Sequence, residues 1–497
     1  MQSNLENKVA GIILAGGRGS RLSKYTDEIP KPMIPILGKP VMEYQIEKLK
    51  EYGIKDIYVT VGYLKDKIID YFGDGQKFGC KITYIKEDEP LGSCGAFYYL
   101  KDKIQMSAFV VCGDVLFNLN IEKFYEYHKS KGGLITITAH PNSHPYDSDL
   151  VILENNYDEY LTLSDYINLG YTKEELYANN DKTLDSLSST FYKKIFDSKA
   201  FKDLIIDKSK KSNLVLKFDK KENASSRTIY HNLVNAGICF IEPKAFEYFE
   251  KPEKKDLEKD LISHFINMSK VYAYRTVDYI KDMGTYDRLD IAEEDVKLNK
   301  LDSQLKKKAV FLDRDGTINV FKYPHSDKSS IELLDRAASA IKLFNKAGYV
   351  CILVTNQPSI SKGFITFDDL DEVNKKLETL LGSEGAFLDD IYFCPHHQEY
   401  GKEGENPEYK IVCNCRKPNT GMIDKAVETY DIDKNLSYMI GDSSFDINLG
   451  KNSNLKMILV ETGLGAEDKE LGGYYHFAKD LYEAAEFILN ENNIKIN

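Results

Sequence analysis

Residues Ala309-Val-Phe-Leu-Asp-Arg-Asp-Gly-Thr317 decide the fold of the second half of this chain. The apolar run is too short for a helix, and it ends on two carboxylates, Asp313 and Asp315. Side chains alternate along a strand, so both carboxylates can point into one site at its carboxyl end, where open parallel sheets bind ligands. One can attack phosphorus while the other moves a proton, with a cation between them. An ordinary buried strand with a polar turn is the alternative interpretation.

The length and charge of the chain limit what it can be. At 497 residues it is too long for one hydrophobic core of ordinary size, which predicts two domains. The formal net charge of -12 argues against a nucleic-acid-binding protein, which would usually be basic. We therefore expect small anionic substrates that are held by local cations and backbone amides.

The lack of a recognisable targeting segment and the placement of the cysteines predict a cytoplasmic enzyme. No stretch approaches the roughly 20 apolar residues that span a bilayer, and the polar start of the chain lacks a signal-peptide core, so we expect no membrane partner. Five cysteines are scattered on apolar or glycine-rich segments, as reduced thiols usually are: Cys80, Cys94, Cys112, Cys239 and Cys351.

Strands alternate with amphipathic helices in both halves, which predicts an α/β fold with two Rossmann-like domains. We predict an N-terminal domain over 1–295 with a mixed sheet, a linker over 296–307, and a C-terminal domain over 308–497. From about 155 to 230 the pattern decays into a Lys/Asp/Ser-rich region, which we interpret as an irregular surface insertion outside the core. A charged helical stretch over 286–308 is expected to join the halves.

A glycine-rich turn follows the first predicted strand. It reads Gly16-Gly17-Arg18-Gly19-Ser20-Arg21-Leu22, and such turns let backbone N–H groups crowd around a phosphate chain while arginines supply charge. Pro30-Lys31-Pro32 then holds a lysine in a stiff segment that can aim its ammonium group at an anion. A purely structural turn and a solvated loop lysine are the alternative interpretations.

Two aspartates far apart in the first half can meet a cation. Asp114 follows the strand predicted over Phe109–Cys112, and Asp282 lies in Asp282-Met-Gly-Thr285. Two carboxylates and Mg²⁺ on a nucleotide phosphate suit in-line transfer, in which positioning and charge neutralisation supply most of the catalysis.

Residues 9 to about 295 resemble the sugar-1-phosphate nucleotidyltransferases. The family signature, Gly-x-Gly-Ser/Thr-Arg-Leu followed by Pro-Lys, is present as Gly17-Arg-Gly-Ser-Arg-Leu22 and Pro30-Lys31-Pro32. The resemblance implies that Asp114 and Asp282 ligate Mg²⁺ and that Lys31 and Arg21 hold phosphates. It also implies further binding residues: Leu14, Gly16, Gly17, Gly19 and Ser20 for the nucleotide, Gly92 and Ser93 for its base, Asn235 and Gly237 for the sugar.

Two details of this resemblance bear on the substrate. Pro-Leu-Gly-Ser over 90–93 and Val-Asn-Ala-Gly over 234–237 look closer to the mannose- and heptose-1-phosphate guanylyltransferases than to the thymidylyl or uridylyl branches. A family lysine that contacts the sugar phosphate should lie just before the second motif, and Lys217, Lys220 and Lys221 are all candidates.

Four segments of the second half carry phosphate chemistry in a consistent order: Asp313-x-Asp315, Thr355-Asn356, Arg416-Lys417 and Gly441-Asp442. Asp313 would be the nucleophile and Asp315 the acid toward the leaving oxygen. We assign a Mg²⁺ site to Asp313, Asp315 and Asp442. The transferring phosphoryl group would bind Thr355 and Lys417, with Asn356 and Arg416 also at the substrate.

Cys394-Pro-His396 and Cys413-Asn-Cys415 form a metal-binding pattern. One imidazole and three thiolates match a closed tetrahedral zinc site, which can stabilise a loop that has little core of its own. A catalytic zinc would retain an open position, so we expect a structural one. His397 is the rival of His396 for the histidine position, and chance cysteines are the alternative interpretation.

Residues 308 to 462 resemble the haloacid-dehalogenase superfamily of aspartyl-phosphate phosphatases. The zinc loop and the Arg416-Lys417-Pro418 that follows it look like those of D-glycero-D-manno-heptose 1,7-bisphosphate phosphatases and related histidinol phosphatases, a pattern that favours His396. Thr355-Asn-Gln-Pro-Ser-Ile-Ser-Lys-Gly363 departs from the commonest family form, which has Ser-Gly after the glutamine and arginine before the last glycine. The departure concerns the preferred anomer and the affinity rather than the chemistry.

Together the resemblances predict a bifunctional enzyme of GDP-heptose synthesis, with Mg²⁺ in both domains and structural Zn²⁺ in the second. The C-terminal domain would remove the C7 phosphate from heptose 1,7-bisphosphate, and the N-terminal domain would couple heptose 1-phosphate to GTP. The alternatives keep the phosphatase. They give the first domain another substrate, such as mannose 1-phosphate or CTP, or make it a non-catalytic sensor of sugar nucleotide. The oligomeric state stays open, a homo-oligomer included.

Overall fold

A computed structural model of the chain describes residues 5–18, 22–178, 190–209, 213–322, 329, 331–398 and 404–494. Within these ranges each half carries one main β-sheet with interleaved helices, so the predicted two-part α/β fold is confirmed. In the same ranges every helix is too short or too polar to cross a membrane.

The N-terminal sheet is mixed. The strands of this half are β1 (Val9–Ala15), β2 (Pro35–Ile36), β3 (Lys39–Pro40), β4 (Asp56–Val61), β5 (Lys81–Lys86), β6 (Ser107–Cys112), β7 (Val115–Phe117), β8 (Ile135–His140), β9 (Leu150–Leu153), β10 (Val215–Asp219), β11 (Val234–Ile241), β12 (Val271–Arg275) and β13 (Ile280–Asp282). The main order is β10-β9-β11-β6-β1-β4-β5, with β8 beside β11 and β12 beside β8. β1 is parallel to β4 and β6, whereas β11 runs antiparallel to β6.

The helices of the N-terminal half mostly connect these strands. They are α1 (Ser23–Thr26), α2 (Val41–Glu51), α3 (Lys65–Phe72), α4 (Ile121–Lys131), α5 (Leu163–Asn168), α6 (Lys173–Ala178), α7 (Thr190–Asp197), α8 (Lys199–Ser209), α9 (Ser263–Ile266) and α10 (Tyr286–Lys297). Local sequence sets their ends. In α4, for example, the Asn120 side chain accepts a hydrogen bond from the Lys123 N–H, and Gly132 ends the helix in the left-handed conformation.

The C-terminal sheet is parallel throughout its described pairs. Its strands are β14 (Ala309–Leu312), β15 (Val350–Asn356), β16 (Asp390–Cys394), β17 (Tyr438–Gly441), β18 (Lys456–Val460) and β19 (His476–Ala478). The helices are α11 (Ala337–Lys346), α12 (Phe367–Ser383), α13 (Gly421–Tyr430), α14 (Ser444–Ser453), α15 (Gly465–Asp468) and α16 (Leu481–Glu491). The order β16-β15-β14-β17-β18-β19 places β14 between β15 and β17.

The central position of β14 explains why its sequence is apolar at every residue. All four of its side chains are fully buried. Val310 and Leu312 join the hydrophobic cluster on one side of the sheet, and Ala309 and Phe311 join the cluster on the other. A strand covered on both faces has no position for a polar side chain, so the carboxylates appear only where it ends.

Two predicted elements differ from the structure. The helical stretch expected over 286–308 is shorter, because α10 ends at Lys297 and turns follow it. The sequence pattern also predicts a strand over 436–440, but the observed strand β17 begins only at Tyr438, since Lys434–Leu436 forms a 3-10 turn. The Asp433 side chain accepts from the Asn435 N–H there, a local bond that competes with strand pairing.

The two halves touch through charged side chains. Arg275 at the end of β12 donates from Nη1 to Asp390 Oδ1 over 2.7 Å, and the Tyr430 hydroxyl donates to the other oxygen of Asp390 over 2.8 Å. Lys307 Nζ, ahead of β14, lies 2.7 Å from Asp278 Oδ1. The contact between Arg275 and Asp390 holds the C-terminal half against the first half at strand β16, the edge strand of the C-terminal sheet.

His231 forms a second polar link between the halves. It precedes β11 and lies between two carboxylates of α12, with Nε2 2.8 Å from Asp371 Oδ1 and Nδ1 in contact with Glu378 Oε2. Lys375 Nζ also approaches Asp371, at 2.7 Å. Burial alone lowers the pKa of this imidazole, but the Glu378 and Asp371 carboxylates outweigh it and raise the pKa of His231 to about 9.

This link is expected to weaken as the pH rises through about 9. The pKa of His231 is higher in the folded chain than its ordinary value of 6.5, so its stabilisation is complete below pH 6.5 and lost above pH 9. Hydrogen bonds to charged groups typically contribute about 2 kcal/mol to the free energy of unfolding, and we expect a contribution of this size from His231 at low pH. The Tm difference between wild type and His231→Gln should therefore be largest near pH 6 and shrink toward pH 10. The exposed His264→Gln serves as control; a difference independent of pH would contradict the link.

Candidate active sites

The carboxyl ends of three neighbouring strands bring the predicted residues of the second half together. Asp313 follows β14, Thr355 is the second-to-last residue of β15, and Asp442 follows β17. These strands are adjacent and parallel, so their carboxyl ends meet at one edge of the sheet. The structure therefore places all three side chains at the edge where the sequence predicts a site.

Lys417 lies at the centre of this edge. Its Nζ is 2.7 Å from Asp313 Oδ1 and 2.7 Å from Asp446 Oδ1, and all three side chains are buried. One oxygen each of Asp313, Asp442 and Asp446 lies within 4.8 Å of the others. Three convergent carboxylate oxygens are ligands that suit Mg²⁺.

The charges at this edge favour a cation. Burial raises the pKa of Asp313 above its usual range, although the nearby Lys417 works in the opposite direction. Burial also raises the pKa of Asp442, helped by the negative charges of Asp313 and Asp446. A divalent cation among these carboxylates would favour their ionised forms. The donor set therefore fits Mg²⁺ both in geometry and in charge.

Two glycines make room for the Asp442 carboxylate. A Cβ at Gly316 (φ +88) would lie 2.2 Å from Asp442 Oδ2, and a Cβ at Gly463 (φ +62) only 1.9 Å from it. The Leu464 N–H donates to the same oxygen over 2.8 Å. Any larger residue at either position would displace the carboxylate, so the Asp-x-Asp-Gly sequence needs its glycine for the metal group as well as for the turn.

The Asp315 side chain is not part of the converging group of Asp313, Asp442 and Asp446. Our assignment of Asp315 to the Mg²⁺ site stays a prediction. The Asp315 oxygens accept from Arg314 Nη2 over 2.9 Å, from Asn319 Nδ2 over 3.0 Å and from Gln357 Nε2 over 2.9 Å. The third carboxylate is Asp446, which our sequence reasoning missed. Its signal was the Gly-Asp-x-x-x-Asp spacing, because the first turn of α14 carries Asp446 back to the strand end.

The other predicted phosphatase residues have different surroundings. Thr355 is buried and its Oγ1 accepts from Gln357 Nε2 over 3.0 Å. Asn356 is bound to the backbone of Lys417, accepting from its N–H over 2.9 Å and donating to its C=O over 3.2 Å. Arg416 donates from Nη1 to the His396 carbonyl over 3.1 Å. Asn356 thus orients the lysine-bearing loop.

Cys394, His396, Cys413 and Cys415 form a compact group, with one ligand atom of each within 4.8 Å of the others. His396 Nδ1 is 3.3 Å from Cys415 Sγ, and the three sulfurs are 3.3 to 3.5 Å apart. Sulfurs around a tetrahedral zinc would be about 3.8 Å apart. The donor set fits Zn²⁺, and His396 rather than His397 occupies the histidine position.

In the first half, the described part of the glycine-rich turn leads from β1 toward a lysine–aspartate pair. The Gly113 N–H donates to the Leu14 carbonyl over 2.9 Å, which holds the end of β1 beside the residue preceding Asp114. Lys31 Nζ pairs with Asp114 Oδ2. Gly16 and Gly17 continue from β1, whereas the predicted Gly19, Ser20 and Arg21 lie outside the described residues.

The two predicted Mg²⁺ aspartates of the first half lie near each other where two strands pair: Asp114 immediately precedes β7, and Asp282 ends β13. Asp282 in β13 is directly opposite Val115 in β7, and the Met283 N–H donates to the Asp114 carbonyl over 3.0 Å. Arg288 Nη1 lies 2.5 Å from both oxygens of Asp282. Antiparallel pairing thus joins aspartates far apart in sequence, and each of them faces a side-chain cation.

A buried carboxylate that our sequence reasoning missed lies beside the turn. A Cβ at Gly16 would be 2.8 Å from Glu87 Oε1, and Glu87 Oε2 accepts from the Leu91 N–H over 3.0 Å. Burial raises the pKa of Glu87. The neighbouring Ser93 hydroxyl donates to Asp256 Oδ2 over 3.1 Å and accepts from the Leu257 N–H. Ser93 therefore anchors its loop, whereas the Glu87 side chain accepts its hydrogen bond from the Leu91 backbone.

Asn235 and Lys220 share a partner at the far end of this half. Asn235 Nδ2 donates to Glu258 Oε2 over 3.1 Å and its Oδ1 accepts from the Gly237 N–H, while Lys220 Nζ lies 2.5 Å from Glu258 Oε1. Lys217 and Lys221 are exposed. Of the three candidate lysines, Lys220 is the one that the structure brings to the predicted sugar residues.

Comparisons with known proteins agree with this two-part arrangement. The Nucleotidyl transferase family model matches residues 10–156, and the HAD-hydrolase-like model matches residues 414–484. The D-glycero-D-manno-heptose-1,7-bisphosphate 7-phosphatase of Chlorobaculum tepidum is 38% identical over 187 residues, which are 36% of this chain and 92% of that protein. The chain belongs to this phosphatase family.

Membership of the heptose-bisphosphatase family rests on the second half, and further relatives match there. The corresponding phosphatase of Pasteurella multocida is 40% identical over 159 residues, 32% of this chain and 83% of that protein. With the nucleotidyltransferase domain in the first half, the chain is an enzyme that joins a transferase to a phosphatase, as predicted.

Two solved structures are also similar. The D,D-heptose 1,7-bisphosphate phosphatase of B. bronchiseptica, determined with magnesium and phosphate, is 28% identical, covering 37% of this chain and 99% of its own with a TM-score of 0.34. HddC from Yersinia pseudotuberculosis is 22% identical, covering 58% of this chain and 99% of its own with a TM-score of 0.39.

Proposed function

We propose that this chain is a bifunctional enzyme that dephosphorylates D-glycero-D-manno-heptose 1,7-bisphosphate at C7 and transfers GMP from GTP to the resulting heptose 1-phosphate. The observation that carries the proposal is the buried group of Asp313, Lys417, Asp442 and Asp446 in a heptose-bisphosphatase family member that also has a nucleotidyltransferase domain. A bisphosphatase makes a sugar 1-phosphate, and a nucleotidyltransferase consumes one. We assign the domains to 1–295 and 308–497.

In the phosphatase reaction Asp313 attacks the C7 phosphorus and the bond to the C7 oxygen breaks. Asp315 donates a proton to that oxygen, and then takes one from the water that attacks the aspartyl-phosphate and releases phosphate. Lys417 and Thr355 hold the phosphoryl oxygens. Mg²⁺, held by Asp313, Asp442 and Asp446, would neutralise the charge of the phosphoryl group when bound.

Three side chains are arranged to orient the acid. Arg314, which is fully buried, and Asn319 and Gln357 together bind both oxygens of Asp315. Gln357 also donates to Thr355, so the acid and a phosphate-binding hydroxyl are joined through one amide. A carboxyl held this firmly needs little rearrangement to meet the leaving oxygen.

In the transferase reaction an oxygen of the sugar 1-phosphate attacks the α-phosphorus of GTP, and pyrophosphate leaves. Lys31, Arg21 and the glycine-rich turn would hold the triphosphate. Asp114 and Asp282 would hold Mg²⁺, which when bound would offset the charge between the two anions. Lys220 is our choice for the lysine at the sugar phosphate, because it shares Glu258 with Asn235.

Glu87 supports guanine as the base. Guanine presents two neighbouring donors, N1–H and the N2 amino group, and an ionised carboxylate can accept from both. Thymine and uracil present an acceptor beside their N3–H, so a carboxylate would face one of their oxygens. A buried acid next to the nucleotide turn therefore favours GTP over UTP or dTTP.

Replacing Glu87 with glutamine is expected to raise KM for GTP about 10- to 100-fold, because losing one of two paired hydrogen bonds typically costs 1–3 kcal/mol. The amide would also turn its own donor toward a guanine donor. Phosphate release should not change. The matched control is the exposed neighbour Glu89→Gln. Equal KM values for wild type and Glu87→Gln would contradict a role in base recognition.

The function is tested by incubating the protein with heptose 1,7-bisphosphate, GTP and Mg²⁺. One phosphate and one pyrophosphate should appear for each GDP-heptose. No phosphate release by protein with its zinc intact would contradict the phosphatase half. A panel of sugar 1-phosphates and nucleotides, followed by pyrophosphate release, tests the transferase half. Faster turnover with mannose 1-phosphate or CTP would favour that substrate, and no turnover would favour a sugar-nucleotide sensor.

We also propose that zinc is a structural ion of the second domain, held by Cys394, His396, Cys413 and Cys415. The four donors complete a tetrahedron and leave no open position for a substrate. Thiolate ligands must stay reduced to bind, which suits an enzyme of the cytoplasm.

A further inference from the structure

The insertion of the first half meets the zinc loop of the second. The Leu161 carbonyl, between β9 and α5, lies 2.9 Å from Nε2 of His396. The other ring nitrogen of His396, Nδ1, faces the cysteine sulfurs. A histidine that ligates a metal through Nδ1 keeps its proton on Nε2, so it donates that proton to Leu161. One domain therefore sets the tautomer of a metal ligand in the other.

A second hydrogen bond and a shared core strengthen this contact. Tyr166 in α5 is buried and its hydroxyl donates to the Val412 carbonyl, next to Cys413, over 2.9 Å. Ile411 and Val412 of the zinc loop are buried in one cluster with insertion side chains. The insertion members of that cluster are Leu161, Leu163, Tyr166, Leu176, Ile195 and Phe201. Our expectation of a surface insertion is thus incomplete, because it packs on the other domain.

The edge of the same contact carries aromatic and polar pairs. Tyr160 stacks on Phe393, in the strand that ends at Cys394, with ring centroids 4.7 Å apart. The Ser164 N–H donates to Glu408 Oε2 over 3.1 Å. The contact thus involves both ends of the zinc loop: the strand that leads into it, and the turn that precedes Cys413 and Cys415.

The two strands that flank the insertion lead to the proposed sugar site. The insertion connects β9 to β10, and the residues just outside these strands, Asp149 and Lys220, form an ion pair of 3.1 Å. Lys220 also pairs with Glu258, which binds Asn235. The paired strands β9 and β10 therefore connect the insertion at one end to the lysine that we place at the sugar phosphate at the other.

We propose that the zinc centre is a clamp between the two domains: metal binding orders the loop on which the insertion packs, and the insertion in turn holds the sugar end of the transferase. The proposal rests on the zinc assignment and, for the sugar end, on the proposed function. Loss of zinc from the phosphatase domain should therefore also reduce the order of the insertion in the transferase domain.

The test compares hydrogen exchange of the full-length protein with and without zinc, together with its zinc content. After chelation and dialysis into Mg²⁺, amides over 161–176 and 195–204 should exchange at least about tenfold faster, and added Zn²⁺ should restore protection. Amides of β4 should not change. Fast exchange in the apo protein supports the clamp. Unchanged exchange in a protein that has lost one zinc would overturn it, and a protein that never binds zinc would overturn the metal assignment with it.

Tyr166→Phe tests the same contact with the metal in place. It removes only the hydroxyl that donates to the loop, so zinc content should stay at one per chain while exchange over 163–176 rises about 3- to 10-fold. The exposed Tyr99→Phe is the matched control. No change in exchange would overturn the role of this bond.

The link to the sugar end has its own measurement. Removing zinc should raise KM for the sugar 1-phosphate several-fold and leave KM for GTP unchanged, since the nucleotide turn lies on β1, away from the insertion. Equal sugar KM values with and without zinc would overturn this link. Absence of any transferase activity would instead count against the proposed function, and the exchange measurement would still test the clamp.

Discussion

Replacing Asp313 with asparagine is expected to reduce phosphate release from heptose 1,7-bisphosphate by at least about 10⁴-fold. An amide cannot form the acyl-phosphate, and loss of a nucleophile typically removes most of an enzyme's advantage over water. The requirement is severe, because phosphate monoesters can need acceleration of about 10²¹-fold. The measurement is phosphate release under saturating Mg²⁺.

The fold should survive this change. Asn is neutral, and burial already penalises the charged form of Asp313, while Lys417 retains Asp446 as a partner. Tm should therefore stay close to that of wild type, and guanylyl transfer from supplied heptose 1-phosphate should be unaffected. Asp335→Asn, at a 97% exposed side chain of the same domain, is the matched control. Residual phosphate release within tenfold of wild type would rule out Asp313 as nucleophile.

Replacing Asp114 with asparagine is expected to have the reciprocal effect. Guanylyl transfer should fall by at least about 10³-fold, because one of two carboxylates that would hold Mg²⁺ is lost and Lys31 loses its partner. Phosphate release should continue at the wild-type rate. With heptose 1,7-bisphosphate and GTP, this variant should accumulate heptose 1-phosphate, which is measured by separating the products.

Mixing the two variants distinguishes independent sites from a shared one. Asp114→Asn supplies heptose 1-phosphate and Asp313→Asn consumes it, so the mixture should regain GDP-heptose formation. Asp102→Asn, exposed in the same half as Asp114, controls for the loss of a surface charge. Loss of both activities in either single variant would contradict two separate catalytic centres.

Local sequence predicted much of the phosphatase edge. The alternation in β14 and the carboxylates that follow it placed Asp313 correctly, since strand geometry depends on few neighbours. The spacing of three cysteines and one histidine likewise indicated four side chains that the structure brings together as a candidate metal site. The sequence pattern also predicts strands over 81–86, 271–275 and 456–460 and a helix over 421–430, and these bounds match those of β5, β12, β18 and α13.

Other parts of the sites could not be predicted, because they involve residues that are close in the folded structure but distant in the sequence. Asp315 lies only two residues from Asp313, yet its oxygens are not among those that converge with Asp442 and Asp446. They accept hydrogen bonds from Arg314, Asn319 and Gln357 instead. Glu87 had no distinguishing motif and became apparent only where the end of β5 meets the glycine turn. The sequence could not distinguish the three candidate lysines. In the structure, Lys220 is the one that contacts Glu258, the partner of Asn235.

By itself the sequence determined the two-part α/β fold, and it indicated phosphate chemistry and most of the candidate metal-binding residues, because periodicity, strand ends and ligand spacing lie in contiguous segments. Only the tertiary structure decided which distant groups meet. Lys417 and Asp313 are 104 residues apart in the chain, and His396 and Leu161 are 235 apart. Such pairs form only after strand order and domain packing are fixed, and these depend on the burial of whole surfaces rather than on any local pattern.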